Sequence, residues 1–257
     1  MELQYPRKAD GLYILKKMDM EHIADMILRE HMPMALLDSN VVDIDALAED
    51  ALYLTIREMH LESSKKILGL LAFEDVEDVP CLDESGDSIT IDIPAGTVLL
   101  DSSLSEASNK ARRRFTLAHE CAHWILHRSY HSLTNQQFRF RVEHPGYIAC
   151  RSSEIESYQN EDKAKTEKDW EEWQANALAS ALLMPYHSFR MFVRWLLYIN
   201  EVKRKEYVDY WMHRELVGAV SDRFEVSEQA ATIRLRQFGI VDRALHQDTS
   251  YAFSLKS

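Results

Sequence analysis

The sequence predicts an α+β fold, mostly helical, with a small three-stranded sheet ahead of a helix that carries His119-Glu120-Cys121-Ala122-His123. Three observations predict it. Apolar residues recur at helical spacing over most of the chain. Between 66 and 101 that spacing gives way to short β-branched runs separated by Asp, Gly and Pro. Seven Gly and six Pro among 257 residues are too few for the many turns of a barrel or sandwich. A hydrophobic content of 46% is enough to bury a substantial core.

In chain order, "MEHIADMILREH" (20–31) and "IDALAEDALYLTIREMHLE" (44–62) read as amphipathic helices. "ILGLLAF", "SITIDI" and "TVLLD" then read as three strands, the last two joined by a tight hairpin at Pro94-Ala95-Gly96. Residues 110–127 form the motif-bearing helix. The stretch 131–168 is polar and rich in Ser, Glu and Lys, with "GYIAC" as a short extended piece. It reads either as a lid facing a substrate or as a plain surface excursion. Four helices follow, over 169–184, 187–199, 203–220 and 227–238. The organisation is a core over 1–185 and a helical C-terminal region over 186–257.

Charge and cysteine usage exclude some functions. A formal charge of −12 repels phosphate, so wholesale binding to nucleic acid or an anionic membrane is disfavoured. Cys81, Cys121 and Cys150 are odd in number and form no Cys-x-x-Cys, which reads as free thiols in a reducing compartment. The first residues lack the apolar core of a signal peptide. The most apolar stretch, "MFVRWLLYI", falls far short of the about 20 residues that span a bilayer and includes Arg194. The expectation is a soluble, cytoplasmic protein.

The chemistry centres on the motif helix. His119 and His123 lie one turn apart on one face, so both imidazoles can reach one ion. Glu120, about 100° around, can reach a metal-bound water without itself coordinating. Cys121 falls on the far side with Leu117 and Trp124 and reads as packing. His127 is on the histidine face but about 12 Å along from His119, too far to share an ion with it. Imidazole suits zinc, and a catalytic zinc takes three protein ligands and keeps a fourth position open. The third ligand must therefore come from elsewhere. "EEWQANALASALLMP" (171–185) supplies a carboxylate. Ala175, Leu178, Ala179 and Leu182 form its packing face, and Glu172 lies one turn before them. Glu171, about 100° away, should face elsewhere. Asn176, a further turn on, either accepts a hydrogen bond from the free N–H of a ligand histidine or simply pairs with neighbouring backbone.

These two motifs, "RFTLAHECAH" and "EWQANALASALLMP", closely resemble those of the ImmA/IrrE family of metallo-endopeptidases. "ILGLLAF", "TVLLD" and "FEVSEQAATIRLRQFGI" (224–240) extend the resemblance over about residues 20–240. Ala122 stands where that family usually has Gly. The resemblance implies a zincin-like metallopeptidase core over 1–185, with Zn2+ held by His119, His123 and Glu172 and with Glu120 as general base. It also implies a protein substrate, a helix-turn-helix repressor being the first class to test, whose cleavage would release a mobile element or stress regulon. A group stabilising the oxyanion is also needed, and Tyr130, His131, His144, Tyr147 and His187 are the candidates.

Other features have simpler readings. Arg112, Arg113 and Arg114 are expected to pair with acids such as Asp101 or Glu106. The basic stretch 190–205 reads as solvated helix faces. Residues 224–240 have a helix-turn-helix form with Arg234 and Arg236 outward, but residues 212–257 balance 6 Lys/Arg against 6 Asp/Glu. Groove binding needs a positive excess, so packing is favoured over DNA contact. The alternative function is a non-proteolytic regulator that binds a repressor or DNA through the C-terminal helices. Glu120 speaks against it, because a structural zinc site has no use for a base beside an open position.

Overall fold

Asp19 Oδ2 accepts from the backbone N–H of Lys16 at 2.7 Å and starts the first helix, α1 (Lys17–His31), which is followed by the short α2 (Pro33–Leu37). The structure, a computed structural model, describes residues 3–9, 11–37, 40–131, 146–151, 166–199 and 210–240. Residues 44–62 do not form the single helix that their spacing predicts. Asp43 caps α3 (Ile44–Ala46), a π-helical turn continues to Ala51, and Tyr53 at φ 57° ends it. Thr55–Met59 is then strand β1. Ile56 and Met59 stand three apart, the spacing of a helix, and pairing with a neighbouring strand overrides it.

The remaining strands are β2 (Ile67–Ala72), β3 (Val76–Leu82), β4 (Ser88–Ile93), β5 (Thr97–Asp101) and β6 (Tyr147–Arg151). The fold is α+β, but the main sheet has four strands, in the order β1-β5-β2-β6, rather than three. "SITIDI" is not in it. As β4 it pairs with β3 in a separate two-stranded unit, with Val79 opposite Ile91. Asp83 shapes the turn between them, accepting from the N–H groups of Ser85 and Asp87. Pro94-Ala95-Gly96 therefore closes no hairpin and instead carries the chain from the small sheet to the large one. "GYIAC" supplies β6, antiparallel to β2 with Cys150 opposite Gly69.

Both faces of the main sheet are covered. Leu71, Val98 and Leu100 face the main core, while Leu70, Ala72 and Leu99 pack with Val79 and Ile93 of the small sheet. Burial on both sides is why "ILGLLA" and "TVLLD" are unbroken apolar runs without alternation.

Helix α4 (Lys110–His131) lies against β2 and β5 and runs one turn beyond the predicted end, which brings His131 into it. Helix α5 (Glu167–Leu183) packs along α4 and α1, followed by α6 (Tyr186–Ile199), α7 (Tyr210–Phe224) and α8 (Glu228–Gln237). Residues 203–209 of the predicted 203–220 helix lie outside the described residues.

Arg113 and Arg114 at the start of α4 find other partners than the two acids named, although Arg113 does pair with acids. Arg113 bonds Asp45 at 2.8 Å and Glu58 at 3.2 Å, and Arg114 donates to the Val42 and Glu225 carbonyls, so neither uses Asp101 or Glu106. Arg234 does not point outward. It is 1% exposed and donates to Glu21 Oε1 and Oε2 at 2.5 and 2.8 Å and to the Met184 carbonyl at 2.6 Å. A buried guanidinium needs such partners, and here they tie α8 to α1 and to the end of α5.

Candidate active site

Helix α4 presents His119, His123, His127 and His131 at intervals of four, a ladder of imidazoles along the face turned to α5. From α5, Glu172, Glu171, Gln174 and Asn176 meet it. His119, His123 and Glu172 each offer a ligand atom, and all three atoms lie within 4.8 Å of one another. His119 Nε2 is 3.0 Å from His123 Nε2 and 3.2 Å from Glu172 Oε2, and His123 Nε2 is 3.7 Å from Glu172 Oε1. Two imidazole nitrogens on a tetrahedral zinc stand about 3.3 Å apart, so the observed spacing fits such an ion. Glu172 Oε2 is buried and has no hydrogen-bond partner among the described residues, as suits an oxygen meant for a cation. The residues present therefore fit a metal.

Neighbouring groups orient the rings. His119 Nδ1 donates to Asn176 Oδ1 at 3.0 Å. His123 Nδ1 is 2.9 Å from His127 Nδ1, whose other nitrogen is 2.9 Å from Gln174 Oε1. Burial pushes the Glu172 carboxyl up, but His123 and His119 beside it outweigh this and hold it well below the usual carboxylate range. Burial, only partly offset by Glu172, pushes His123 down to about 4. Burial also opposes charge on His119, yet Cys150 and Glu172 raise it well above its ordinary value. Burial likewise takes His127 down to about 3.

Glu120 is fully buried beside the sheet. A Cβ at Gly69 would stand only 2.5 Å from its Oε1 and 2.9 Å from Thr116 Cγ2, so only glycine lets this carboxylate lie against β2. Sequence reading passed over Gly69, although a lone glycine inside an apolar strand is a sign of close approach. Cys150, cross-strand from Gly69, turns its thiol to the same side, next to His119. Burial raises that thiol to about 11, and it is not among the groups able to hold an ion.

A cavity of about 900 Å³ opens between α4, α5, β6 and the small sheet. Glu172, Tyr130, His131 and Tyr147 line it, whereas His119, Glu120 and His123 lie beneath its wall with no exposed surface. Of the oxyanion candidates, His187 is on the exposed surface of α6 away from the cavity, and His144 lies outside the described residues. His131 is engaged by Glu171, its Nε2 donating to Oε2 at 2.7 Å. This corrects the expectation for Glu171, which is 5% exposed and turned to α4 along with Glu172. A helix packed lengthwise on a neighbour buries a stripe more than 100° wide, and adjacent residues can both fall within it.

The family model for the IrrE N-terminal-like domain of the M78 peptidases matches residues 82–236, from the end of β3 to α8. The chain belongs to this family. None of the curated proteins compared with it matches. As an M78, or ImmA/IrrE-type, metallopeptidase, it carries the cluster within the matched span, whereas Gly69 lies before it. Family membership implies a peptidase with a metal cofactor and a protein substrate. No helix among the described residues is long and apolar enough to cross a membrane.

Proposed function

We propose that this M78 peptidase is a zinc-dependent endopeptidase of zincin-like design, with His119, His123 and Glu172 as the metal ligands. The observation that carries the reading is the convergence of two buried imidazole Nε2 atoms and one buried carboxylate on a single point. An ion held by His119, His123 and Glu172 would supply Lewis acidity towards a water and a peptide carbonyl. The chain's own groups do the rest. Glu120, next to His119 in sequence and fixed against Gly69, is the base that takes the water proton and returns it to the leaving amine. Asn176 keeps the proton of His119 on Nδ1, leaving Nε2 to coordinate. The cavity beside β6 takes the substrate chain, with Tyr130 and Tyr147 in its wall as candidate donors to the oxyanion.

The substrate class that suits this chain best is a cytoplasmic helix-turn-helix repressor. The charge of −12 favours a protein partner with a basic surface over free nucleic acid. The test has two parts. Protein purified without chelator should contain about one equivalent of zinc. Co-expression with repressors encoded nearby should show cleavage by wild type and none by Glu120→Gln. A repressor neutralised equally by both proteins would replace the protease with a binding regulator. Failure to take up zinc would remove the enzyme reading altogether.

A further inference from the structure

The histidine ladder does not stop at the candidate ligands, and its next step runs to the N-terminal segment. The backbone carbonyl of Tyr13 can only accept a hydrogen bond. It lies 2.7 Å from the side-chain nitrogen of Gln174, so the amide is held with Nε2 towards Tyr13. The other arm, Oε1, then faces His127 Nε2 at 2.9 Å, and that ring nitrogen must carry the proton. His127 is fully buried, its hydrogen-bonding neighbours are an amide oxygen and another imidazole, and the nearby Glu171 carboxylate is bonded to His131 instead, so a cation there is unfavourable and the ring is neutral. Its Nδ1 is therefore bare and accepts. Across 2.9 Å the donor is His123 Nδ1, which leaves His123 Nε2 bare on the side of His119 and Glu172.

We propose that Tyr13, Gln174 and His127 form a positioning chain that holds the proton of His123 on Nδ1 and turns its Nε2 lone pair to the metal position. The inference rests on the reading of His119, His123 and Glu172 as ligands. The two ligand histidines are thus set by different means, His119 directly by Asn176 and His123 through a second imidazole. The same geometry explains why His123, His127 and Glu171 also gather as a metal-capable group without forming a second site. An ion there would have to displace the proton between the two Nδ1 atoms, and His123 would then bridge two metals as an imidazolate. The proton gives His123 and His127 one neutral form each and leaves no charge on either ring.

Two measurements test it. Long-range proton–nitrogen correlation spectra of the metal-free wild type at neutral pH report each ring's tautomer. The expected result is a proton on Nδ1 of His123 and on Nε2 of His127, and the reverse pattern overturns the chain. Zinc affinity by chelator competition is then compared for wild type, His127→Leu, His127→Asn and Gln174→Met. Leu has no acceptor and should weaken binding by about 10- to 100-fold. Asn can place Oδ1 where Nδ1 stood and should restore most of the loss, and Gln174→Met should fall between. His127→Leu binding zinc as tightly as wild type, or Asn no better than Leu, overturns the proposal. Should His127→Leu fail to fold, the wild-type spectra and Gln174→Met still decide. A wild type that shows the expected tautomers but takes up no zinc would sink the metal assignment and leave the hydrogen-bond chain standing.

Discussion

Gly69 and Glu120 meet where the sheet touches α4, with a Cβ at position 69 falling 2.5 Å from Glu120 Oε1. Gly69→Ala should therefore displace the carboxylate while leaving the two histidines and Glu172 in place. A misplacement of about 1 Å at a reacting group costs on the order of 100-fold in rate. The expected outcome is full zinc content with turnover reduced by roughly that factor. Unchanged turnover on a cleavable substrate would show that Glu120 does not work from this position.

The ligand and base roles separate in the same way. Glu172→Ala leaves two histidines, too few to hold an open zinc site, so metal and activity should be lost together. Glu120→Gln should keep metal and lose turnover by about 100- to 10,000-fold, the usual contribution of a general base. Zinc analysis of the two purified variants checks this, and metal retained in Glu172→Ala would point to another third ligand.

Glu171→Ala should not be silent. It leaves His131 Nε2 buried without the carboxylate 2.7 Å away, at a cost of about 1–3 kcal/mol in stability. Zinc content should stay at the wild-type level, since Glu171 is paired with His131 rather than with the His119 group. Denaturant unfolding and metal analysis together test both halves.

Acid should destabilise the metal-free protein by way of the ladder. His123, His127 and His131 are lowered from 6.5 to about 4, 3 and 4, burial being the main cause in each. The unfolded chain protonates these three rings first, so their contribution to stability is whole above about 6.5 and is lost as pH falls towards the folded values. Each proton taken up on unfolding contributes a slope of about 1.4 kcal/mol per pH unit. Melting temperatures measured across that window should fall steeply, and a flat profile would show that the rings are not held neutral.

Arg234 and Glu21 bond through both carboxylate oxygens, with side chains 1% and 9% exposed. Removing one partner of such a pair leaves the other charge buried, so Glu21→Ala should cost about 3–5 kcal/mol. Thermal unfolding checks it, and a loss below about 1 kcal/mol would place the pair in water instead.

The sequence by itself determined what one helix can decide. A period of 3.6 residues puts His119 and His123 on one face and Cys121 in the core, and the same period on the next helix aims Glu172 and Asn176 at that face. The α+β class also followed from local pattern. What lay beyond it were relations between elements. "TIREM" became β1 because β5 offers it a parallel partner, and "SITIDI" left the main sheet because its partner is β3. Glu171 turned inward because α5 lies lengthwise on α4, where His131 waits one turn beyond the predicted helix end. Gln174 meets a carbonyl 161 residues away, and Gly69 matters only because Glu120 arrives over it. Periodicity fixes a side chain's direction from its own helix or strand. Register and crossing geometry decide what it meets there, and the packing of the whole chain sets those.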